Sequence, residues 1–407
     1  MSRLSHKFTD IAAICAHAGA GTGDGNPLVA PLVLSSTFCR GAIGSDCEHQ
    51  YSRVSNPTVS ALESAIGALE GAPPALCFAS GLAAEMALFL AILKQGDHVV
   101  CGRSVYGGTT RLFSQVLSEF GVATTFADTT SIDAVANALR PNTKLVFVES
   151  PTNPTLELTD LRRIGAIARS AGALFAVDNT FLTGAGQRPL DHGADISVYS
   201  TTKYIDGHSV AVGGALVTRD EALLDRIRFI RKSTGAILAP FSAWVTLQGL
   251  KTLPLRLERQ FQTAAEVAQW LQNQPGVASV RHPSLLDGNA REIIRSQHLI
   301  GDGAVIAFEL DGGVEDARRF LDELELCRLV EHVGSVETLI THPATMTHAD
   351  VPREQRIASG ISDGLLRLSV GIESFDSIAA DLSRGLRLFA RGVPTSRQEV
   401  ATCALTA

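Results

Sequence analysis

From about residue 72 to residue 218 the chain alternates short apolar runs with helical stretches, a pattern that few folds accept. Residues 75–78, 99–101, 145–149, 174–177, 196–199 and 215–218 read as strands. Between them stand helical stretches: one opens at Ala79-Ser80-Gly81 and runs to Leu93, one runs from Tyr106-Gly-Gly108 to Phe120, and one lies near 160–171. Apolar strands that alternate with helices imply an α/β fold with a mostly parallel sheet covered on both faces. In such sheets ligands sit beyond the carboxyl ends of the strands. The candidate residues in this half of the chain lie just after a strand, at that edge.

The flanks are less regular. Residues 1–60 are poor in helical periodicity and carry a glycine-rich loop, Gly19-Ala-Gly-Thr-Gly-Asp-Gly25. Its spacing is not Gly-x-Gly-x-x-Gly and no βαβ unit surrounds it, so a dinucleotide site is not indicated. The region reads as an extended arm with a strand at 32–34, leading through Tyr51-Ser-Arg53 into a helix. Thr58 is the expected N-cap of that helix, Leu62, Ile66 and Leu69 its apolar face, and Gly71 its end. Past residue 218 come long helical stretches at 221–232 and 255–271. Composition shifts there toward Arg, Glu and Leu. The expected division is an arm (1–60), a large domain (61–256) and a smaller α+β domain (257–407) with elements at 304–310, 314–321 and 365–370. The last residues, from about 393, read as a loose tail.

A net charge of −7 and a pI of about 5.9 argue against a nucleic-acid partner. No apolar run approaches the roughly 18 residues of a membrane helix. Met1–Phe8 carries charge without an apolar core behind it, so no signal peptide is visible and a cytoplasmic location is expected. The seven cysteines are widely spread and form no Cys-x-x-Cys pair, which argues against a disulfide framework or a zinc site. His342 and His348 are six residues apart with no supporting acid or thiol cluster, so a structural role is expected, and no metal. His208 reads as a turn residue.

The segment Asp195-Ile-Ser-Val-Tyr-Ser-Thr-Thr-Lys-Tyr204 ends a buried strand in three hydroxyls and then Lys203. Such a lysine either snorkels to solvent or loses its charge by desolvation. In the second case, flanked by small hydroxyls and glycines (Gly207, Gly213, Gly214), it suits a Schiff base, and the hydroxyls can hold a phosphate. Asp178, at the inner end of a strand 25 residues earlier, is either a turn former or an acid awaiting a cation such as a protonated pyridine nitrogen. Ser80-Gly81-Leu82 opens a helix whose first amides can bind phosphate. Tyr106, followed by two glycines, has room to lie against a planar ligand or simply to pack.

Seven stretches in order carry a family resemblance: Tyr51-Ser-Arg-x-x-Asn-Pro-Thr58, Ser80-Gly-x-Ala-Ala84, Tyr106-Gly-Gly-Thr, Glu149-Ser-Pro-x-Asn-Pro154, Val177-Asp-Asn-Thr180, Ser200-x-Thr-Lys203-Tyr and Arg367-Leu-Ser-x-Gly371. From about Ala16 to Leu388 the chain resembles the cystathionine γ-synthase/γ-lyase family of pyridoxal-phosphate enzymes in cysteine and methionine metabolism. The resemblance implies a fold-type I, aminotransferase-like architecture and pyridoxal 5′-phosphate as cofactor. Lys203 would hold the cofactor as a Schiff base and then shuttle protons. Asp178 would pair with the ring nitrogen, and Tyr106 would stack on the ring. Gly81, Leu82, Ser200 and Thr202 would hold the phosphate, with Tyr51 and Arg53 reaching the phosphate of a neighbouring subunit in a homotetramer built as a dimer of dimers. Asn153 would sit by the ring hydroxyl and the substrate carboxylate, which Arg367 would bind.

The implied reaction is elimination or replacement at Cγ of a γ-substituted amino acid, with an O-acylhomoserine sulfhydrylase as the near alternative. An aminotransferase and a non-enzymatic binding protein are the more distant ones. One departure stands out. Where the family carries serine, or asparagine in sulfhydrylases, this chain reads Glu331-His332-Val-Gly-Ser335, so an imidazole takes that place near the substrate. The expectation is an unusual substrate, against a tolerated replacement that makes a hydrogen bond. Glu331 and Thr347 follow the γ-synthase and γ-lyase branch. Pro240-Phe-x-Ala-Trp244 and the absence of an acid at Val210 lean toward the sulfhydrylases.

Overall fold

A computed structural model describes residues 9–390 except Thr22 and Asp350. The tail expected from about 393, Cys403 and the N-terminal Met1–Phe8 lie outside the described residues. The described chain divides into two compact units. The first comprises residues up to Pro151, Thr159–Leu255 and Gln297–Ile300; the second comprises Thr152–Leu158, Arg256–Ser296 and the residues from Gly301 onward.

The first unit is built on seven strands: β1 (Leu76–Phe78), β2 (His98–Gly102), β3 (Ala123–Ala127), β4 (Thr143–Glu149), β5 (Leu174–Asp178), β6 (Ile196–Tyr199) and β7 (Gly214–Thr218). Their order is β1-β7-β6-β5-β4-β2-β3. Neighbours from β3 to β6 pair in parallel, and only β7 runs against its partners β6 and β1. The carboxyl ends of β1, β4, β5 and β6 therefore share one edge. Strands β2, β6 and β7 are buried along their whole length, which is why they read as uninterrupted apolar runs. Phe89, Phe113 and Phe147 form the centre of the core, with ring centroids 4.4, 5.6 and 6.2 Å apart.

Helix starts follow their caps. Ser80 Oγ accepts from Ala83 N at 3.1 Å and opens the helix Gly81–Ile92. Asp160 and Asp220 do the same for the helices Leu161–Ser170 and Glu221–Thr234. Three expectations need correction. The helix Pro57–Leu69 is capped by Asn56, whose side chain accepts from Thr58 N at 2.9 Å, not by Thr58. Pro57 suits the first helical position because its missing N–H needs no partner there. Thr58 instead spends its hydroxyl on Pro31 O and Val33 N. Residues 32–34 form no strand. They run extended beside this helix, with Leu34 exposed. The stretch from Tyr106 to Phe120 is not one helix: an α-turn Gly107–Arg111 passes into a π-turn Leu112–Val116 and a 3₁₀ turn Leu117–Phe120 that ends at Gly121.

Elements not foreseen include, in the first unit, the helices Ile11–Ala16, Ile132–Ala138 and Pro240–Leu250 and the edge strand β3, and, in the second, the helices Gly288–Gln297, Arg353–Ala358 and Phe375–Ala390. β3 is largely solvent-facing, so its sequence Ala-Thr-Thr-Phe-Ala lacks the apolar run that marks the central strands.

The second unit carries a five-stranded sheet: β8 (Val277–Arg281), β9 (Val305–Leu310), β10 (Arg328–Leu329), β11 (Leu339–Thr341) and β12 (Leu365–Ser369), in the order β10-β11-β12-β9-β8. Only β10 and β11 pair in parallel. Helices Val314–Asp322 and Phe375–Ala390 accompany it, and Phe308 meets Phe320 edge to face at 6.0 Å.

Replacing Phe147 by alanine removes the ring that both Phe89 and Phe113 pack on. The expected cost is about 3–5 kcal/mol, read as a lower midpoint in chemical denaturation with little change in its slope.

Candidate active site

Asp178 closes β5 with its carboxyl buried. Oδ1 accepts from Thr180 N at 2.9 Å, and burial pushes the group above the usual carboxylate range, with Thr180 opposing that shift. Beside it in register lies Glu149, at the end of β4. Glu149 Oε2 accepts the backbone N–H of Tyr106 at 2.6 Å, so an acid on the sheet fixes the start of the turn that carries the tyrosine. On the other side, Thr180 Oγ1 accepts Ser200 N at 2.9 Å, which ties the end of β5 to the end of β6.

Ser200 in turn faces Gly81. A Cβ at Gly81 would lie 3.0 Å from Ser200 Cβ and 3.3 Å from Ser200 Cα. Glycine at 81 thus allows the first turn of the helix Gly81–Ile92 to approach the end of β6 without an intervening side chain. At Gly214 a Cβ would lie 2.2 Å from Ser80 O, so the strand after the Lys203 loop presses directly on the same turn. Tyr106 closes the circuit: a Cβ at Gly108 would stand 2.5 Å from the Tyr106 ring and 3.0 Å from the Leu82 methyls. Contacts thus run from Tyr106 through Glu149, Asp178, Thr180, Ser200 and Gly81 to Leu82, and back. Lys203 sits in the loop that leaves this circuit. Its N–H donates to Ser200 O at 3.2 Å, and its carbonyl accepts from Gly207 N at 2.8 Å.

The amides of this turn are apportioned. Ala83 N–H goes to Ser80 Oγ and Ala84 N–H to Ser80 O, which leaves those of Gly81 and Leu82 as the ones an anion would take at this 12-residue helix start. Thr202, expected to share that role, exchanges two hydrogen bonds with Gly213: its hydroxyl donates to the carbonyl at 3.1 Å and accepts the N–H at 3.0 Å. Tyr51 and Arg53 lie on the arm. Tyr51 bridges Thr37, the Arg53 guanidinium lies 5.6 Å from the Tyr51 ring centre, and Arg53 Nη1 donates to Lys232 O. His208 Nδ1 contacts Asp206 O, as a turn residue does.

Behind the edge lies a polar network that sequence reasoning did not foresee. The Tyr199 hydroxyl, at the end of β6, donates to Glu70 and accepts from Asn179 Nδ2, which also donates to Gln187 O. Glu70 is fully buried, and its pKa is pushed up to about 7, chiefly by desolvation, with Ser197, Tyr199 and Arg219 opposing and Asp191 adding. A terminal helix residue gives no sign of such burial. Glu85 could have been found. This acid has Leu82, Leu88 and Phe89 at helical spacing around it, and the structure buries it.

Within the second unit, Arg367 lies mid-strand on β12, 3% exposed. Nη1 donates to Asn153 Oδ1 at 2.9 Å, and Nη2 donates to Thr341 Oγ1 at 2.8 Å and to His332 O at 3.1 Å. The guanidinium is therefore aimed by three oxygens, and Asn153 is one of its holders. Glu331 is exposed, His332 is half-buried, and Thr347 Oγ1 contacts His348 Nδ1 at 2.9 Å. His342 bonds Thr345 and Asp363 O. No group of three or more His, Cys, Asp or Glu able to hold a metal occurs among the described residues, and no helix among them is long and apolar enough to cross a membrane.

The sequence model for the family described as Cys/Met metabolism PLP-dependent enzymes matches residues 12–387. The chain is 42% identical to the cystathionine gamma-lyase of Bacillus subtilis, over 88% of this chain and 93% of that protein. It is also 42% identical to the O-succinylhomoserine sulfhydrylase of Pseudomonas aeruginosa, over 83% of each. Among solved structures, cystathionine gamma synthase from Xanthomonas oryzae pv. oryzae, in complex with aminoacrylate and cysteine, is similar with a TM-score of 0.91 and 40% identity, covering 94% of this chain and 99% of that chain. The expected fold-type I architecture holds. The site suits pyridoxal phosphate: the Gly81 and Leu82 amides stand at the start of a 12-residue helix where a phosphate would be taken, and buried Asp178 is an acid that a pyridinium would neutralise.

Two outcomes test this geometry. Glu70 has a folded-state pKa above its unfolded value of 4.5, so its contribution to stability is full below pH 4.5 and is lost as pH rises through about 7. Glu70→Gln should remove that loss, on the order of 3 kcal/mol, and flatten the dependence of the unfolding midpoint on pH between 5 and 8. Gly214→Ala, which sets a methyl against Ser80 O, should lower both the melting temperature and the affinity for pyridoxal phosphate.

Proposed function

The chain belongs to the Cys/Met-metabolism family of pyridoxal-phosphate enzymes, and from that premise we propose that it breaks or exchanges the bond at Cγ of a γ-substituted amino acid. The observation that carries the reading is the closed circuit of contacts around Asp178, Ser200, Gly81 and Tyr106, with Lys203 in the loop that leaves it.

Bound pyridoxal phosphate supplies the electron sink that stabilises negative charge next to the amino-bearing carbon. The roles that the resemblance implies for the chain's own groups have support from their surroundings. Gly81 and Leu82 amides and the Ser200 hydroxyl would hold the phosphate. Asp178 would keep the ring nitrogen protonated, because a buried carboxylate is stabilised by the cation it faces. Tyr106 would cover the ring. Lys203 would carry the cofactor through its amine and would move protons at Cα and then Cβ of the substrate, as leaving-group loss from Cγ requires. Arg367 takes the substrate carboxylate in its fork, aimed by Asn153 and Thr341. Tyr51 and Arg53 act toward a neighbouring subunit's phosphate, in a homotetramer with the arm at the subunit contact. Location in the cytoplasm completes the reading.

A second reading, γ-replacement by a thiol on an O-acylated homoserine, has support from Val210 and from Pro240-Phe-x-Ala-Trp244. It also has support from the sulfhydrylase relative, which is as similar in identity as the lyase. His332, with Glu331 and Thr347 near it in the chain, is the residue we assign to substrate choice.

A panel of γ-substituted amino acids, scored for 2-oxobutanoate, homoserine and thioether with and without added thiol, separates elimination from replacement. Lys203→Ala should abolish turnover, and retained turnover would end the reading. Arg367→Lys should raise KM by roughly 10–100-fold through loss of the bidentate fork. His332→Ser should shift the substrate profile and the pH–rate curve; unchanged profiles would remove His332 from that role.

A further inference from the structure

One buried acid near Asp178 has no part in the chemistry above. Glu85 is 3% exposed on the helix Gly81–Ile92, one turn beyond Gly81. Its two carboxyl oxygens lie 3.0 and 2.8 Å from a single atom, Thr109 Oγ1, on the turn Gly107–Arg111. Thr109 is fully buried. A hydroxyl has one proton to give. An ionised Glu85 would receive it on one oxygen and set the other against the hydroxyl lone pairs. A protonated Glu85 makes the pair reciprocal: Thr109 donates to one oxygen, and the acid's own O–H donates back to Thr109 Oγ1. Burial and the nearby Asp178 charge both hold Glu85 on its proton, with the Thr109 hydrogen bond opposing.

The elements joined by this pair matter. Glu85 belongs to the helix that opens with Gly81, the residue that packs against Ser200. Thr109 belongs to the turn whose N-cap is Tyr106, and Thr109 N donates to Tyr106 O at 2.9 Å. Glu149 holds the same tyrosine from the sheet side.

We propose that Glu85 is a positioning residue: a neutral carboxylic acid that locks Thr109 in both directions and so keeps the Gly81–Leu82 amides in register with the Tyr106 ring. The inference rests on the pyridoxal-phosphate reading above and deepens it.

The test uses the full chain stripped of cofactor and titrated with pyridoxal phosphate. Three quantities are read: the dissociation constant from absorbance, the circular dichroism of the bound cofactor, and the melting temperature. The variants are Glu85→Gln, Glu85→Ala, Thr109→Ser, Thr109→Val and the Glu85→Ala/Thr109→Val pair. An amide donates and accepts as the neutral acid does, so Glu85→Gln should stay within about 3-fold of the wild-type affinity, and Thr109→Ser likewise. Glu85→Ala and Thr109→Val should each weaken binding by about 10-fold and reduce the cofactor dichroism, and the pair should be no weaker than the worse single variant.

The inference is overturned if Glu85→Gln binds as weakly as Glu85→Ala, or if the two losses add. It is also overturned if melting temperature falls while affinity and dichroism stay at wild-type values, which is the mark of a packing role alone. Wild-type protein that takes up no pyridoxal phosphate would sink the broader reading together with this one. Uptake that is equal in wild type and Glu85→Ala would sink this one alone.

Discussion

An acid buried at the end of a parallel strand is stable as an anion only when a cation meets it, and Asp178 is placed in that situation. Its carboxyl is turned in at the carboxyl edge of β5, and the hydrogen bonds from Thr180 offset only part of the desolvation. The surrounding elements are arranged around this carboxyl. Glu149 aims the Tyr106 turn, Thr180 aims Ser200, and the small residues at 81, 108 and 214 let three backbone segments close in. On the reading proposed above, a pyridinium would supply the opposite charge, and the helix start at Gly81 would suit the phosphate of the same molecule.

Burial pushes Glu85 and Glu70, like Asp178, above the usual carboxylate range. Each serves as a hydrogen-bonding joint: Glu85 with Thr109, and Glu70 as the acceptor of the Tyr199 hydroxyl. Like charges crowded in a low-dielectric interior are costly. Glu85 held on its proton spares Asp178 a like charge nearby. In the second unit the opposite sign is handled in the same way, with Arg367 surrounded by the oxygens of Asn153, Thr341 and His332.

Much of the first unit could be read from residue order because its central strands are buried on both faces and so leave unbroken apolar runs. β3 escaped because it is an edge strand with water on much of its surface. The cap of the helix Pro57–Leu69 was misplaced by two residues because Asn56 and Thr58 both suit a cap, and only the packing of residues 31–33 against Thr58 decides between them. The break of the 106–120 stretch into α, π and 3₁₀ turns likewise has no signature in its composition.

By itself the sequence determined the alternation of central strands and helices in the first unit and the family to which the chain belongs, because periodicity and motif spacing are local properties of the chain. Only the tertiary structure decided that Glu149 holds Tyr106, that Glu85 pairs with Thr109, that Glu70 reaches Tyr199, and that Asn153 aims Arg367. Each of these contacts joins residues from 24 to 214 positions apart. Whether such an acid is charged or neutral is set by how completely distant segments exclude water from it.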